Sequence, residues 1–276
     1  KLAASPQRSP FDAVMMTAET IRVGVNRGLL RTVTEKEIPN LAKIQPVLLA
    51  PYKVEGGYAG APVHWKIVGI LWRKDLVPFE ITSWHDLWRP ELRNRISVQN
   101  MPTLGASMLL IISSLINGGD QKNLEPGWKA LKALRPNIRE FYAITSNALT
   151  SLVAGDTWVS VNVLDLGLPL AAKNVVATLP KEGGGFSPEG LAFPATASDP
   201  ASAFRFAQSM LDDPQQAAWA KAAKVAPSTN VTLSNEAQAN IMERPELLEK
   251  MFNIDFLDMG NNLDSWASRW RREIVG

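Results

Sequence analysis

The chain has no cysteine in its 276 residues, which excludes disulfides, thiol nucleophiles and cysteine-ligated zinc. Histidine is almost as scarce. His64 and His85 are the two histidines, and neither belongs to an HExxH pattern. The sequence therefore offers few residues for a histidine-ligated metal site or for a Ser-His catalytic pair. No run approaches the roughly 18 apolar residues of a membrane-spanning helix. A basic segment followed by an apolar one, typical of a secretory signal, does not open the chain.

The charges are close to balance, with 29 basic and 27 acidic residues and a net charge of +2. They are interspersed and form no basic stripe or tail, so the sequence predicts neither a nucleic acid nor an anionic membrane as a partner. A hydrophobic content of 46% in a chain of this length is enough for a large core. The length favours two domains or lobes over one.

One stretch, residues 176–196, combines strand-like runs, three consecutive glycines and the acid Glu189. The pattern predicts a short strand, a hinge at Gly183, Gly184 and Gly185, and a second apolar strand over residues 191–193. Glu189 stands immediately before that second strand, where a carboxylate could meet a ligand. The alternative is an ordinary solvated loop acid.

Other polar candidates follow predicted strands. Thr17 and Glu19 come after the strand-like run FDAVMM and open a helix predicted to run through Val25, while Asn162 and Asp165 lie near the end of a predicted strand over residues 158–163. Ligands collect at the carboxyl ends of strands in open α/β sheets. A plain helix cap is the alternative for the threonine.

Two further segments are candidates for ligand contact. Trp65 lies early in a long apolar strand predicted over residues 63–71, where packing in the core is the alternative to a ligand contact. The turn over residues 100–107 contains Thr103 and leads from a short strand into an apolar helix. Free N–H groups at such a helix start can receive an anion, and simple capping is the alternative.

Five segments together carry a family resemblance over nearly the whole chain. They read FDAVMMT (11–17), PVHWKIVGILWRKDLV (62–77), TSWHDLWRPEL (82–92), SN…LVAGD…VN (146–162) and PKEGGGFSPEGLAFP (180–194). This succession resembles the substrate-binding proteins of bacterial ABC importers, and among them most closely the spermidine/putrescine-binding group. TSWxDLWxPEL followed by PKEGG is the more specific part of the match.

The resemblance implies an exported, periplasmic α/β protein of the two-lobe, type II binding-protein fold, with a mixed sheet and flanking helices in each lobe. The ligand would lie in the cleft between the lobes, which close on it. Lobe one would comprise residues 1–66 plus 192–276, and lobe two residues 67–191. The implied protein is a monomer that docks on the permease subunits of its transporter, with no cofactor, metal or catalytic residue.

For the ligand, the resemblance implies an amine. In the polyamine binders a carboxylate after PKEGG holds an amine, and Glu189 stands at that position in place of an aspartate. Ser187 replaces an aromatic residue, and the acidic pair that follows the TSW helix is replaced by the turn around Thr103. A long polyamine needs a carboxylate at each end and aromatic walls between them. We therefore expect a small amine or a zwitterion, with the acidic group at the 100–107 turn.

The resemblance also implies that further elements precede FDAVMMT, with Lys1 and Leu2 as the tail of a preceding helix; we expect that this segment is missing from the sequence. Two other functions stay open. An enzyme on a related scaffold would need a nucleophile and base that the sequence does not offer. A ferric-ion binder would need clustered tyrosines, whereas Tyr52, Tyr58 and Tyr142 are scattered.

Overall fold

The structure is a computed structural model that describes residues 8–276. Lys1 and Leu2, expected as the tail of a helix, lie outside the described residues. The chain forms two compact units. Unit 1 contains the described residues up to Lys66 together with Ser187–Arg244 and Asp255–Asn261, and unit 2 contains Ile67–Phe186, Pro245–Ile254 and Asn262–Gly276.

Strands and helices alternate along most of the described chain. The strands are β1 (Val14–Thr17), β2 (Lys53–Val54), β3 (Gly57–Tyr58), β4 (Ala61–Arg73), β5 (Ile96–Gln99), β6 (Ile138–Tyr142), β7 (Val159–Val163), β8 (Val175–Thr178), β9 (Gly185–Ala192) and β10 (Ala226–Pro227). The α-helices are α1 (Ala18–Asn26), α2 (Pro46–Leu49), α3 (Leu104–Leu115), α4 (Glu125–Leu134), α5 (Thr145–Ala154), α6 (Pro200–Met210), α7 (Asp213–Ala223), α8 (Asn235–Gln238) and α9 (Phe256–Trp270). Shorter 3₁₀ segments include Trp84–Trp88 and Leu164–Lys173.

Unit 1 is built on β1, the second part of β9 and the first part of β4. β1 pairs with β9 in antiparallel register, from Val14 opposite Ala192 to Thr17 opposite Glu189, and β10 pairs with β4 so that Ala226 faces Trp65. The helix α9 reaches the backbone of α1 at Gly260, where an added Cβ would lie 2.8 Å from the carbonyl oxygen of Glu19. This close approach covers the first turn of α1.

Unit 2 contains the second part of β4, which pairs in antiparallel fashion with β7 and with β8. The strand β5 is parallel to both β6 and β7, so the sheet of this unit is mixed. The helix α3 is apolar on nearly all sides and buried, as a core helix should be. Strands and helices together give the mixed α/β fold that the sequence predicts.

The units depart from the lobe limits that the resemblance implies at two places. Residues 187–191 lie in unit 1, and residues 245–254 and 262–276 lie in unit 2. The last residues of α9 belong to unit 2 because Trp270 donates a hydrogen bond from Nε1 to Asn100 Oδ1 at 2.9 Å and meets Phe141 edge to face at 5.6 Å. The assignment of these units as ligand-closing lobes stays a prediction.

Several predicted elements are confirmed, but the glycine stretch differs. The strands predicted over residues 63–71 and 158–163 correspond to β4 and β7, and the helix predicted to run through Val25 is α1. β9 begins at Gly185, so Glu189 lies inside a strand and not before one. Of the three glycines, Gly183 alone has a positive φ, at 108°, and its missing Cβ makes room for the carbonyl oxygen of Lys250.

Within residues 8–276, no helix is both long enough and apolar enough to cross a membrane.

The C-terminal tryptophan gives a stability prediction. Trp270 is fully buried, so Trp270→Ala should destabilise unit 2 by about 3–5 kcal/mol through the lost packing and the cavity it leaves. Chemical denaturation followed by far-UV circular dichroism measures the effect. Phe206→Ala is the control, because Phe206 is an exposed aromatic on α6 and should cost little. Equal effects of both substitutions would contradict the packing described for Trp270.

Candidate functional site

The register of β1 and β9 brings two of the predicted site residues face to face. Thr17, the last residue of β1, lies directly opposite Glu189 in β9. Side chains of directly opposed residues in an antiparallel pair project from the same face of the sheet and contact each other. Glu19 follows in the first turn of α1 and returns to this point, where the Thr17 hydroxyl donates a hydrogen bond to its Oε1.

Glu19 is the most deeply buried acid of this group, with an exposure of 4%. Its Oε2 has no hydrogen-bond partner among the residues that the structure describes. Burial raises the pKa of Glu19 above the ordinary value, and the nearby charge of Glu189 raises it further. A buried carboxylate oxygen without a partner is costly, and a cation beside it would reduce that cost.

Both oxygens of Glu189 already have partners within unit 1. His64 Nε2 lies 3.2 Å from Oε2, and Lys66 Nζ lies 3.8 Å from Oε1. Burial acts to raise the pKa of Glu189, but the hydrogen bond from His64 and the charge of Lys66 outweigh it, and the pKa lies below the ordinary value. Glu189 is therefore a charged, internally neutralised group, not the solvated loop acid of the alternative interpretation.

The imidazole of His64 links Glu189 to α7. Trp219 donates from Nε1 to His64 Nδ1 at 3.4 Å, and the other ring nitrogen of His64, Nε2, faces Glu189. Tyr52 lies beside the same acids and donates its hydroxyl to the carbonyl of Pro188 at 3.1 Å. Burial raises the pKa of Tyr52 well above its usual range, and the charges of Glu19 and Glu189 add to this effect.

Two predicted contacts of unit 1 are fully buried. Trp65 is 1% exposed and lies between His64 and Lys66 on β4, so its side chain projects from the opposite face of the strand into the core. This agrees with the packing alternative, and we leave Trp65 out of the candidate site. Ser187 is buried in β9, and its hydroxyl has no hydrogen-bond partner within residues 8–276.

The remaining predicted residues lie in unit 2 and bond mainly to their own segments. The Thr103 hydroxyl donates to the carbonyl of Asn100 at 2.6 Å, and the helix-start N–H of Gly105 donates to Gln99 Oε1 at 3.0 Å. Gln99 thus accepts from one of the helix-start N–H groups that were predicted from the sequence to bind an anion. Asn162 accepts at Oδ1 from the N–H of Val163, and Asp165 lies in the first turn of the following 3₁₀ segment.

Sequence reasoning missed His64, Lys66 and Tyr52. A signal existed for two of them, because His64 and Lys66 alternate with apolar residues in β4, and such residues share one face of a strand. That face proves to be the one that meets Glu189. No signal pointed to Tyr52, since its contact with Pro188 joins residues 136 positions apart.

The described part of the chain contains no group of three or more His, Asp or Glu side chains placed to hold a metal ion. The tyrosine hydroxyls bond to their own chain: Tyr52 to Pro188, Tyr58 to Glu35 and Tyr142 to Val161.

Comparison with known proteins places the chain in a family. Residues 1–244 match the family described as bacterial extracellular solute-binding protein. The chain belongs to this family. The resemblance expected from the five sequence segments is therefore confirmed.

Curated relatives of this solute-binding protein carry polyamine names. The spermidine/putrescine-binding periplasmic protein of Salmonella typhimurium is 26% identical over 208 residues, covering 73% of this chain and 58% of the relative. The spermidine/putrescine-binding periplasmic protein 1 of Haemophilus influenzae is 27% identical over 217 residues, covering 76% and 59%. The solute-binding protein thus spans less than two thirds of the length of these relatives.

Solved structures confirm the fold class. An ABC transporter structure from Clostridium perfringens has a TM-score of 0.85 and 25% identity, covering 98% of this chain and 87% of that one. A periplasmic binding protein from Actinobacillus pleuropneumoniae with fructose-6-phosphate bound has a TM-score of 0.81 and 19% identity, covering 99% and 86%. The fold is that of the two-lobe periplasmic binding proteins, and it does not by itself select a ligand.

The two acids predict opposite dependences of stability on pH. The folded pKa of Glu19 is raised, so the folded state holds this proton more strongly than the unfolded chain, and Glu19 lowers stability as pH rises. The folded pKa of Glu189 is lowered, so Glu189 adds stability above its unfolded pKa and loses it as pH falls. Over a range from about pH 3 to about pH 8, the melting temperature of Glu189→Gln should fall relative to wild type as pH rises toward the unfolded pKa of about 4.5, and that of Glu19→Gln should rise relative to wild type as pH increases above that value.

Thermal melts of the two variants and wild type across this pH range measure both slopes, and each variant serves as the control for the other. Slopes of the same sign for the two variants would contradict the assigned environments.

Proposed function

We propose that this chain is the solute-binding receptor of an ABC import system and that its solute carries an ammonium group. In this proposal the protein works in the periplasm, binds the solute as a monomer and delivers it to the permease subunits of the transporter. Membership of the solute-binding family supports the receptor role, and the polyamine names of the curated relatives support an amine. The family and its relatives are binding proteins, so the proposed cycle contains no chemical step.

The observation that carries the amine is the state of Glu19. Its carboxyl group is buried, one of its oxygens has no partner among the described residues, and a second carboxylate stands close by. An ammonium group would satisfy the open oxygen, and charge-assisted hydrogen bonds are about twice as strong as neutral ones. The sequence and the family resemblance both put Glu189 first as the amine anchor. We assign that role to Glu19, because Glu189 is already neutralised by Lys66 and bonded to His64.

Ser187 joins this candidate site because its hydroxyl is buried in β9 next to the same acid-bearing segment and lacks a partner in the described chain. Thr17 orients the Glu19 carboxyl by donating to Oε1. In unit 2, Asn162 has a buried side-chain N–H group, on Nδ2, without a partner in the described residues, and we retain it as a separate candidate donor.

Removal of the Glu19 charge should be the most damaging single change to amine binding. Glu19→Gln should weaken the affinity for a bound amine by about 2–5 kcal/mol, the range for removing one partner of a buried charge pair. Glu189→Gln should cost less, because Lys66 has already offset that charge. Isothermal titration with a panel of small amines and amino acids measures both effects.

The matched control for this experiment is Glu236→Gln, which removes an exposed acid of the same unit that pairs with Lys221. It should bind like wild type. Wild-type affinity in Glu19→Gln would remove Glu19 as the anchor, and failure of every amine in the panel to bind wild type would remove the amine class.

A further inference from the structure

The side chain of Lys66 is the one cation that the described contacts place on the Glu189 carboxylate, and nothing in the sequence analysis singled it out. It is 25% exposed, comparable with the 24% of Glu189, whereas Trp65 beside it is buried in the core. Its Nζ lies 3.8 Å from Glu189 Oε1, beyond the 2.7–3.2 Å typical of an N–H···O hydrogen bond. The two groups attract each other, but the ammonium of Lys66 has three N–H donors, and this contact directs at most one of them at Glu189.

The contacts of His64 set which oxygen of Glu189 faces Lys66. His64 Nε2 lies beside Oε2 and Nδ1 accepts from Trp219, so Oε1 is the oxygen that faces Lys66. The charges of Lys66 and Glu189 then offset each other. An ammonium bound at Glu19 would place a second cation near these side chains, in addition to the partly exposed ammonium of Lys66.

We propose that Lys66 receives an acidic group of the solute, so that the solute is a zwitterion such as an amino acid and not a diamine. This inference rests on the proposed function, because it takes the ammonium of the solute to be bound at Glu19. A carboxylate would accept charge-assisted bonds from the other donors of Lys66. The second ammonium of a diamine would meet Lys66 as a like charge, which disfavours it.

The inference also accounts for the 100–107 turn. The sequence assigned the acidic group of the solute to the helix start there, but Gly105 donates to Gln99 and the Thr103 hydroxyl to Asn100. Lys66 supplies a full positive charge in the same unit as Glu19, where the helix start would supply only partial charges. The acidic group is therefore assigned to unit 1.

The test compares ligands that differ only in one terminal group. Wild type, Lys66→Met and Glu19→Gln are titrated with α,ω-diamines and with ω-amino acids of equal chain length, such as putrescine and γ-aminobutyrate. Wild type should bind the amino acid at least about tenfold more tightly than its diamine partner, and Lys66→Met should abolish or reverse this preference. Lys66→Arg, which keeps the charge, should retain the preference, and Lys36→Met is the control for loss of an exposed lysine.

The outcomes separate the two proposals. If Glu19→Gln loses both ligands while Lys66→Met keeps the wild-type preference, or if wild type prefers the diamine, the Lys66 inference is overturned and the amine receptor stands. If wild type binds no member of either series, both proposals are overturned. Circular dichroism checks that Lys66→Met is folded, and Lys66→Gln replaces it if it is not.

Discussion

The burial of the Glu19 carboxyl group is the constraint on which the candidate site depends. A carboxylate removed from water must be protonated, hydrogen-bonded or paired with a cation, because its desolvation is otherwise uncompensated. Thr17 satisfies one oxygen of Glu19, and the second has no partner in the described part of the chain. The nearby Glu189 adds a like charge. In the free protein this arrangement costs stability, and a bound cation would recover that cost.

The strands of unit 1 explain why Glu19, and not Glu189, has a carboxylate oxygen without a partner among the described residues. The antiparallel register sets Glu189 opposite Thr17, and the alternation of β4 turns His64 and Lys66 toward it while Trp65 points into the core. Trp219 in turn bonds to the other ring nitrogen of His64. Glu189 is thereby a charged carboxylate with a partner on each oxygen, whereas one oxygen of Glu19 has no partner in the described part of the chain. Such a division of two nearby acids into different environments is a common way of giving them different roles.

The sequence predicts most of the elements but less of the site. The strand around Trp65, the helix α1 after Thr17 and the strand that carries Asn162 all follow from local sequence patterns. The start of β9 does not, because Gly185 and Pro188 are typical of loops, and the pairing with β1 overrides that local preference. The family resemblance put Glu189 first, but which acid has an oxygen without a described partner depends on contacts between distant segments. The backbone of Glu19 is approached by α9 at Gly260, and no local sequence pattern predicts this contact.

The central claim, that the Glu19 carboxylate is the group that a solute cation completes, can be tested on the carboxyl group itself. Carbon-detected NMR of the Glu side-chain carboxyls, assigned with Glu19→Gln, gives the pKa of Glu19 without and with a saturating amine ligand. The account predicts a raised pKa in the free protein and a clear fall on binding, since a bound ammonium favours the ionised form. A Glu19 pKa that is unchanged by a tightly bound amine would contradict it.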